Sequence, residues 1–228
     1  MYRDHEVAVV VPAYDEAGFV GDVVDSIPAS VDRVYALDDA STDGTWRELR
    51  RVAGDEAVAP EGLPEPLGSR VDAAVRNGRV TALRHARNRG PGGAIKTGYL
   101  AALAGGADLI ATVDGDGQMD PTILERFLRP LAAGRAAYAT GSRFERPGDR
   151  REMPAIRRLG NVVLGRLAAV ATGYRRLSDP VNGYTAVTRR ALRSIDVSEI
   201  YDGYGYGIDV LGRLRANGFD VVDVPHRS

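Results

Sequence analysis

Short apolar runs alternate with amphipathic segments through the first 141 residues of this 228-residue chain. Five β-branched or apolar runs predict strands, at 7–11, 31–37, 79–83, 109–113 and 136–140. Strands that alternate with helices form a mostly parallel sheet covered by helices on its faces. A chain of this length can bury a sizeable core, so we predict one α/β domain over residues 1–228.

The remaining elements follow from the same periodicities. Helices are expected at 16–27, 46–53, 121–133, 154–172 and 207–216, with another running through Lys96, Leu100 and Leu103. Two further strands are expected at 184–188 and 219–224, and a flexible charged loop at 144–153. Residues 54–78 are rich in proline, glycine and acidic side chains, and this composition predicts an exposed insertion rather than a separate domain.

The composition argues against several classes of protein. A net charge of −1 disfavours general nucleic-acid binding, and the absence of cysteine excludes disulfides and thiolate metal sites. No stretch reaches the roughly 18 to 20 apolar residues of a membrane-spanning helix. The N-terminus does not resemble a signal peptide. We therefore expect a cytoplasmic protein that is soluble or peripheral to the membrane.

The run 109–113 ends on two carboxylates, Asp114 and Asp116, in the sequence Asp-Gly-Asp-Gly-Gln. The glycines let the backbone turn sharply, and open α/β sheets bind ligands where their strands end. Clustered oxygen ligands suit Mg²⁺ or Mn²⁺, so Asp114, Asp116 and Gln118 are predicted metal ligands.

Two other interpretations of this acidic motif stay open. Aspartates after a strand can simply cap the next helix. The motif also fits positions 1, 3, 5 and 12 of an EF-hand loop, with Asp114, Asp116, Gln118 and Glu125. That loop needs glycine at position 6, where this chain has Met119, and it needs a preceding helix where a strand is predicted. The calcium loop is therefore the weaker interpretation.

Seven short motifs follow one another along the chain, at 10–16, 38–45, 88–90, 114–118, 141–143, 178–184 and 218–225. In this order they resemble the family 2 glycosyltransferases, and within them the dolichyl- and polyprenyl-phosphate sugar synthases. Each motif alone is weak, but seven in sequence over nearly the whole chain are specific. The resemblance implies the Rossmann-like GT-A fold, with residues 1–118 as the nucleotide-sugar-binding half and 119–228 as the acceptor-binding half.

The resemblance also implies a donor site. Its residues would be Pro12, Ala13, Tyr14, Glu16, Asp38, Gly92, Lys96, Asp114 and Gly115. Tyr14 offers a stacking face, Asp38 can accept hydrogen bonds from a base or ribose, and Lys96 would approach the diphosphate as a point charge. Asp38 and Asp39 can equally cap the next helix. Neither the base, uridine or guanosine, nor the hexose follows from the sequence.

The chemistry of such a donor supports the metal prediction. Departure of a nucleoside diphosphate builds negative charge, which a divalent cation stabilises as a Lewis acid, whereas carboxylates alone would repel the phosphates. In the family the second acid of the motif usually holds the metal, which here is Asp116. Asp116, Arg143 and Asp179 are the predicted catalytic residues.

The acceptor side rests on the resemblance, which singles out Arg143 and Arg158 as contacts to an acceptor phosphate. Guanidinium groups bind phosphate bidentately, and a lipid phosphate lies at an anionic membrane surface. An ionised phosphate hardly needs a general base, so Asp179 would position groups more than abstract a proton. Gly207 stands where the family often has an acid or a large polar residue, which leaves any role for Asp209 open.

The sequence therefore predicts an inverting, metal-dependent hexosyltransferase that uses a UDP- or GDP-sugar and a polyprenyl or dolichyl phosphate at the cytoplasmic membrane face. No nucleic-acid or protein partner is expected. A family 2 enzyme that glycosylates a saccharide hydroxyl is the main alternative, and a nucleotide-sugar-binding regulator without catalysis is another. A sugar nucleotidyltransferase should carry a basic glycine-rich loop after its first strand, where this chain has Pro12–Glu16.

Overall fold

The computed structural model describes residues 1–59, 66–142, 174, 179 and 182–226. Its strands are β1 (Val7–Ala13), β2 (Arg33–Asp38), β3 (Val71–Asn77), β4 (Val80–His85), β5 (Leu109–Thr112), β6 (Tyr138–Ser142), β7 (Thr185–Thr188) and β8 (Val221–Pro225). Its α-helices are α1 (Val20–Ser26), α2 (Thr45–Ala53), α3 (Gly90–Ala104), α4 (Leu124–Ala132), α5 (Arg189–Ser194) and α6 (Tyr206–Ala216).

All the described strands belong to one sheet, in the order β3-β4-β2-β1-β5-β7-β6-β8. The four central strands β4, β2, β1 and β5 are parallel. β3 and β7 run antiparallel to their neighbours, and β6 and β8 are parallel to each other. Helices α1, α2 and α4 cover one face, and α3, α5 and α6 cover the other. The predicted mostly parallel, helix-covered sheet is confirmed.

Strand β1 shows why the apolar runs are continuous rather than alternating. Val7, Val9 and Val11 pack under α1, α2 and α4, whereas Ala8 and Val10 pack under α3. All five are 0% exposed. A strand with a helical layer on each side must be apolar at every position, and this is the pattern that identified it in the sequence.

The predicted exposed insertion at 54–78 is wrong at its C-terminal end. Residues 71–77 form β3, which pairs with β4 at the edge of the sheet, and Val71, Ala74 and Val75 are buried. These buried residues are divided between the two faces of the sheet and interrupted by exposed polar residues, so no continuous apolar run marks the strand among the surrounding prolines and glycines. Helix α1 begins at Val20, later than predicted, because residues 14–19 form a loop at the site.

Several other predictions lie outside the described residues, namely the loop at 144–153 and the helix at 154–172. Helix α5, at 189–194, was not predicted. No helix in the described ranges combines the length and apolar character that crossing a bilayer requires.

Candidate active site

The carboxyl ends of the parallel strands open onto a cleft of about 490 Å³. The loops after β1, β2, β4 and β5 supply most of its walls, and the segment before α6 supplies the rest. The lining residues are Pro12, Ala13, Tyr14, Glu16, Asp39, Asn88, Gly90, Pro91, Ala94, Asp114, Gly115, Asp116 and Tyr204. A cleft at this edge is where open α/β sheets bind ligands.

The loops after β1 and β2 hold each other in place by polar contacts. The Asp15 amide donates to Ser41 Oγ at 3.0 Å, and the Thr42 amide donates to Asp15 Oδ1 at 2.8 Å. Asp15 and Ala40 both adopt left-handed backbone conformations, with φ of 55° and 61°. Such conformations cost energy in residues other than glycine and cluster at functional sites, where the surrounding structure enforces them.

The two predicted acids lie at the cleft, as expected for residues that follow β5. Asp114 is partly buried, next to Gly183 and close to Tyr206. Burial raises the pKa of Tyr206 well above its usual range, and the negative charge of Asp114 adds to the effect. Asp116 Oδ1 accepts a hydrogen bond from the Gln118 amide at 3.0 Å, which fixes the turn of the loop. The Gln118 side chain is exposed.

Negative charge is concentrated at the mouth of this cleft. Burial raises the pKa of Glu16, and the negative charge of Asp116 raises it further. Asp43 and Asp15 add to the effect. A divalent cation at Asp114 and Asp116 would offset this repulsion, so the residues present fit one. Within the described part of the chain, no three acidic or histidine side chains converge as a ready-made metal cluster. Mg²⁺ commonly completes its coordination with oxygens of water or of a phosphate group.

The structure separates the two adjacent acids at the end of β2, Asp38 and Asp39. Asp38 is 0% exposed; its Oδ1 accepts from the Ser41 amide at 3.0 Å, and its Oδ2 lies 3.1 Å from Arg84 Nε. Asp39, and not Asp38, lines the cleft. A donor contact by Asp38 stays a prediction, whereas the position of Asp39 was missed because neighbouring residues of an extended segment point to opposite sides.

Gly92 and Lys96, predicted beside the diphosphate, do not line the cleft. Lys96 is 5% exposed; its Nζ lies 2.7 Å from Asp202 Oδ1 and donates to Ser198 O at 3.0 Å. The Gly92 amide donates to Asp202 O at 2.7 Å. Both residues thus anchor the 198–202 segment over the start of α3, and their roles toward a diphosphate stay predictions.

Asp179, the predicted residue of the acceptor side, belongs to a second polar cluster. It is 2% exposed and accepts from Asn182 Nδ2 at 3.2 Å. Asn182 Oδ1 accepts from the Tyr184 amide at 2.9 Å, so the amide orientation is fixed and its Nδ2 also faces His226 Nε2, 3.1 Å away. Arg143 and Arg158 lie outside the described residues.

The site also contains residues that were not predicted. Asn88 belongs to a motif that was recognised, but no role was assigned to it. Tyr204, which is 90% exposed, lies at the cleft although nothing in its local sequence marks it as a site residue. Its position depends on the packing of the segment before α6 against α3, a contact between distant parts of the chain.

A mostly parallel, helix-covered sheet with paired acids at its carboxyl edge is the architecture of the GT-A glycosyltransferases. Residues 8–196 match the model of the family described as glycosyl transferase family 2. The chain belongs to this family, and the predicted class of enzyme, a glycosyltransferase, is confirmed.

Individual proteins are similar to this chain over most of its length. A polyprenol monophosphomannose synthase of Mycolicibacterium smegmatis is 30% identical over 226 residues, which cover 95% of this chain and 75% of that protein. A UDP-N-acetylglucosamine–dolichyl-phosphate N-acetylglucosaminyltransferase of Methanococcus voltae is 26% identical over 226 residues, 99% of this chain and 86% of that protein. The crystal structure of glucosyl-3-phosphoglycerate synthase from Mycobacterium tuberculosis with uridine diphosphate superposes with a TM-score of 0.63 at 20% identity, over 99% of this chain and 72% of that one.

Proposed function

We propose that this chain transfers a hexose from a UDP- or GDP-linked sugar to a polyprenyl or dolichyl phosphate, with inversion, at the cytoplasmic face of the membrane. The observation that carries the proposal is the pair of acids, Asp114 and Asp116, at the carboxyl edge of the sheet in a cleft crowded with negative charge. The acceptor class is supported by the names of the mycobacterial and archaeal relatives, which act on polyprenol and dolichyl phosphates.

The cleft offers a nucleotide sugar contacts of three kinds. Tyr14, 46% exposed, and Tyr204 present aromatic faces to a base. Asp39 can accept hydrogen bonds from base N–H or ribose hydroxyl groups. Asp114 and Asp116, assisted by Gln118, would hold Mg²⁺ or Mn²⁺, which when bound supplies Lewis-acid stabilisation of the departing diphosphate.

The transfer itself needs one bond to form and one to break. An oxygen of the acceptor phosphate attacks the anomeric carbon of the sugar, and the bond from that carbon to the nucleoside diphosphate breaks on the opposite side. Arg143 and Arg158 are proposed to bind the acceptor phosphate. Because this phosphate is already ionised, the buried Asp179 serves to position groups, consistent with its hydrogen bond from Asn182.

Transfer of a radiolabelled sugar to lipid tests the proposal. Purified protein is incubated with labelled UDP- and GDP-hexoses and a polyprenyl phosphate, and label is counted in the organic and aqueous phases. We expect organic-extractable product that is lost in excess EDTA and restored by Mn²⁺ or Mg²⁺. Asp116→Asn should lose activity by about 1000-fold while its thermal melting is unchanged. Full turnover in excess EDTA would contradict the metal site, and label that stays water-soluble would contradict the lipid acceptor.

A hydroxyl acceptor is the second candidate, because a different relative favours it. Glucosyl-3-phosphoglycerate synthase of Mycolicibacterium paratuberculosis is 29% identical over 218 residues, 90% of this chain and 57% of that protein. A hydroxyl acceptor must lose a proton during transfer, so a basic carboxylate would then matter more. The same assay with 3-phosphoglycerate or a saccharide in place of the lipid distinguishes a hydroxyl acceptor from a lipid phosphate. The glycosylated 3-phosphoglycerate or saccharide would remain in the aqueous phase.

A further inference from the structure

Behind the wall of the cleft, Asp39 begins a row of buried polar side chains. Its Oδ1 lies 2.6 Å from His85 Nδ1 and accepts from the Arg89 amide at 2.8 Å. On the other side of the ring, His85 Nε2 lies 2.8 Å from Thr97 Oγ1, to which Arg70 Nε donates at 2.9 Å. Asp39, His85 and Thr97 are 3%, 1% and 0% exposed. We call Asp39, His85, Thr97 and Arg70 the Asp39 network.

The contacts fix the direction of the hydrogen bonds to Asp39 and from Arg70, and they leave two acceptors for the Thr97 hydroxyl. An ionised carboxylate only accepts, so His85 Nδ1 carries a proton and donates it to Asp39. Thr97 accepts from Arg70, and its own proton can go to His85 Nε2 or to Gly93 O, 3.0 Å away. With a neutral ring the hydroxyl donates to Nε2, and with a charged ring it donates to Gly93 O. Either way the ring nitrogens have partners, so the ring is held in one orientation.

The orientation of the ring determines what the carboxylate presents to the cleft. Both hydrogen bonds of the Asp39 side chain within the described structure converge on Oδ1. The same side chain lines the cleft beside Asn88 and Gly90. With Oδ1 engaged on the protein side, Oδ2 is the oxygen left for hydrogen-bond donors in the cleft.

We propose that His85 is a positioning residue for the nucleotide-sugar donor. Through its Nδ1–H bond it holds the Asp39 carboxylate at the angle at which Oδ2 accepts a hydrogen bond from the nucleoside, and Thr97 with Arg70 fixes the ring that does so. Arg70 also brings a positive charge toward the buried carboxylate. The inference rests on the proposed function, because it requires a nucleoside ligand in the cleft.

A purely structural role is the competing explanation. Asp39 accepts from the amide of Arg89, the residue before α3, and could serve only to cap that helix. In that case the Asp39 network would contribute to stability and have no separate effect on the affinity for nucleotides. Affinity and stability must therefore be measured on the same variants.

Two matched pairs of substitutions separate these roles. His85→Leu removes both ring nitrogens, whereas His85→Asn, which is shorter than histidine and lacks Nε2, keeps an N–H group near the position of Nδ1. Thr97→Val removes the hydroxyl at constant shape, whereas Thr97→Ser keeps it. For each full-length variant we would measure the affinity for UDP and GDP with Mn²⁺ by calorimetry, the donor KM and kcat, and thermal melting.

We expect His85→Leu and Thr97→Val to weaken nucleotide affinity and raise donor KM by about tenfold, the effect of one hydrogen bond to a charged group. Their kcat should stay within about twofold of wild type, since the contact is made equally in the ground and transition states. His85→Asn and Thr97→Ser should retain affinity within about threefold, because each keeps the donor or hydroxyl on which the network depends.

Wild-type affinity in folded His85→Leu and Thr97→Val would overturn the positioning role and leave the proposed function intact. A loss of affinity that follows the loss of melting temperature through all four variants would also overturn it, in favour of the structural role. If the wild-type protein bound neither UDP nor GDP, the proposed function would fail at the first measurement, and the inference would fail with it.

Discussion

Gly183 is the position where one added carbon tests the site most directly. A Cβ built on Gly183 would lie 2.9 Å from the carboxyl carbon of Asp114 and closer still to Oδ2, whereas ordinary contacts of this kind lie at 3.4–4 Å. Gly183 is not among the glycines with positive φ, so its backbone accommodates alanine. The first group that Gly183→Ala displaces is therefore the Asp114 carboxyl group.

The required displacement follows from those distances. The carboxyl group must retreat by at least about 0.5 Å, and its Oδ2 by more, to reach ordinary van der Waals contact. The main chain on either side of Asp114 is held, because the Val113 amide donates to Val10 O at 3.0 Å and the Gly115 amide donates to Pro12 O at 3.1 Å. A misplacement approaching 1 Å costs about 100-fold in rate at a catalytic centre. We expect kcat/KM to fall by about that factor, with at most about 1–3 kcal/mol of lost stability.

Transfer kinetics and urea unfolding of Gly183→Ala measure the two effects separately. Gly212→Ala is the matched control, because a Cβ at that position in α6 would meet nothing within 4 Å. It should leave kcat/KM unchanged and add about 0.5–1 kcal/mol to the free energy of unfolding, the usual gain for glycine to alanine in a helix. Wild-type kcat/KM in a folded Gly183→Ala protein would refute the role of Asp114 in the reaction.

Three further predictions concern stability. Gly98→Ala would place a Cβ 2.9 Å from Val10 Cγ2, so the overpacked α3–β1 contact should lose about 1–3 kcal/mol in urea unfolding. Ala40→Gly removes the left-handed strain at φ 61° and should gain about 1 kcal/mol; a loss would show that Ala40 is not strained. Burial raises the pKa of Asp43, but hydrogen bonds from Thr45 and a neighbouring loop outweigh it and hold that pKa below 3.8. Ionised Asp43 therefore adds to the free energy of unfolding above about pH 4, and this stabilisation is lost as the pH falls through the folded-state pKa. Asp43→Asn should destabilise the protein at pH 7 and have less effect at pH 3.

The sequence predicted the fold well where both faces of a strand are covered. The continuous apolar runs of β1 and β5 arise because helices pack on each side of the sheet, and that pattern is visible without any long-range information. Edge strand β3 lacks such a run. Its few buried residues are divided between the two faces of the sheet and interrupted by exposed polar residues, and the proline-rich segment before it dominated the composition.

Which side chains reach the cleft could be predicted where a loop is short, and could not be predicted where distant segments meet. Asp114 and Asp116 were placed at the cleft because they follow a strand directly. Which of the two acids, Asp38 or Asp39, faces the cleft depends on the residue at which β2 ends, and the composition does not reveal that residue. Lys96 is covered by Asp202, more than 100 residues later in the chain. No local pattern at Lys96 carries that information.

The position of β7 explains why one carboxylate contacts both halves of the chain. β7 runs antiparallel to β5, with Thr112 opposite Thr185, so the residues that leave β5 lie beside those that enter β7. Asp114 therefore lies against Gly183, and one residue further back Asn182 holds the buried Asp179. A small change in this strand pairing would shift the donor side and the acceptor side together. The predicted donor-binding half ends at residue 118, and the predicted acceptor-binding half begins at residue 119. In the folded chain these halves are joined by the pairing of β5 with β7, which lies next to the acids on which the proposed transfer depends.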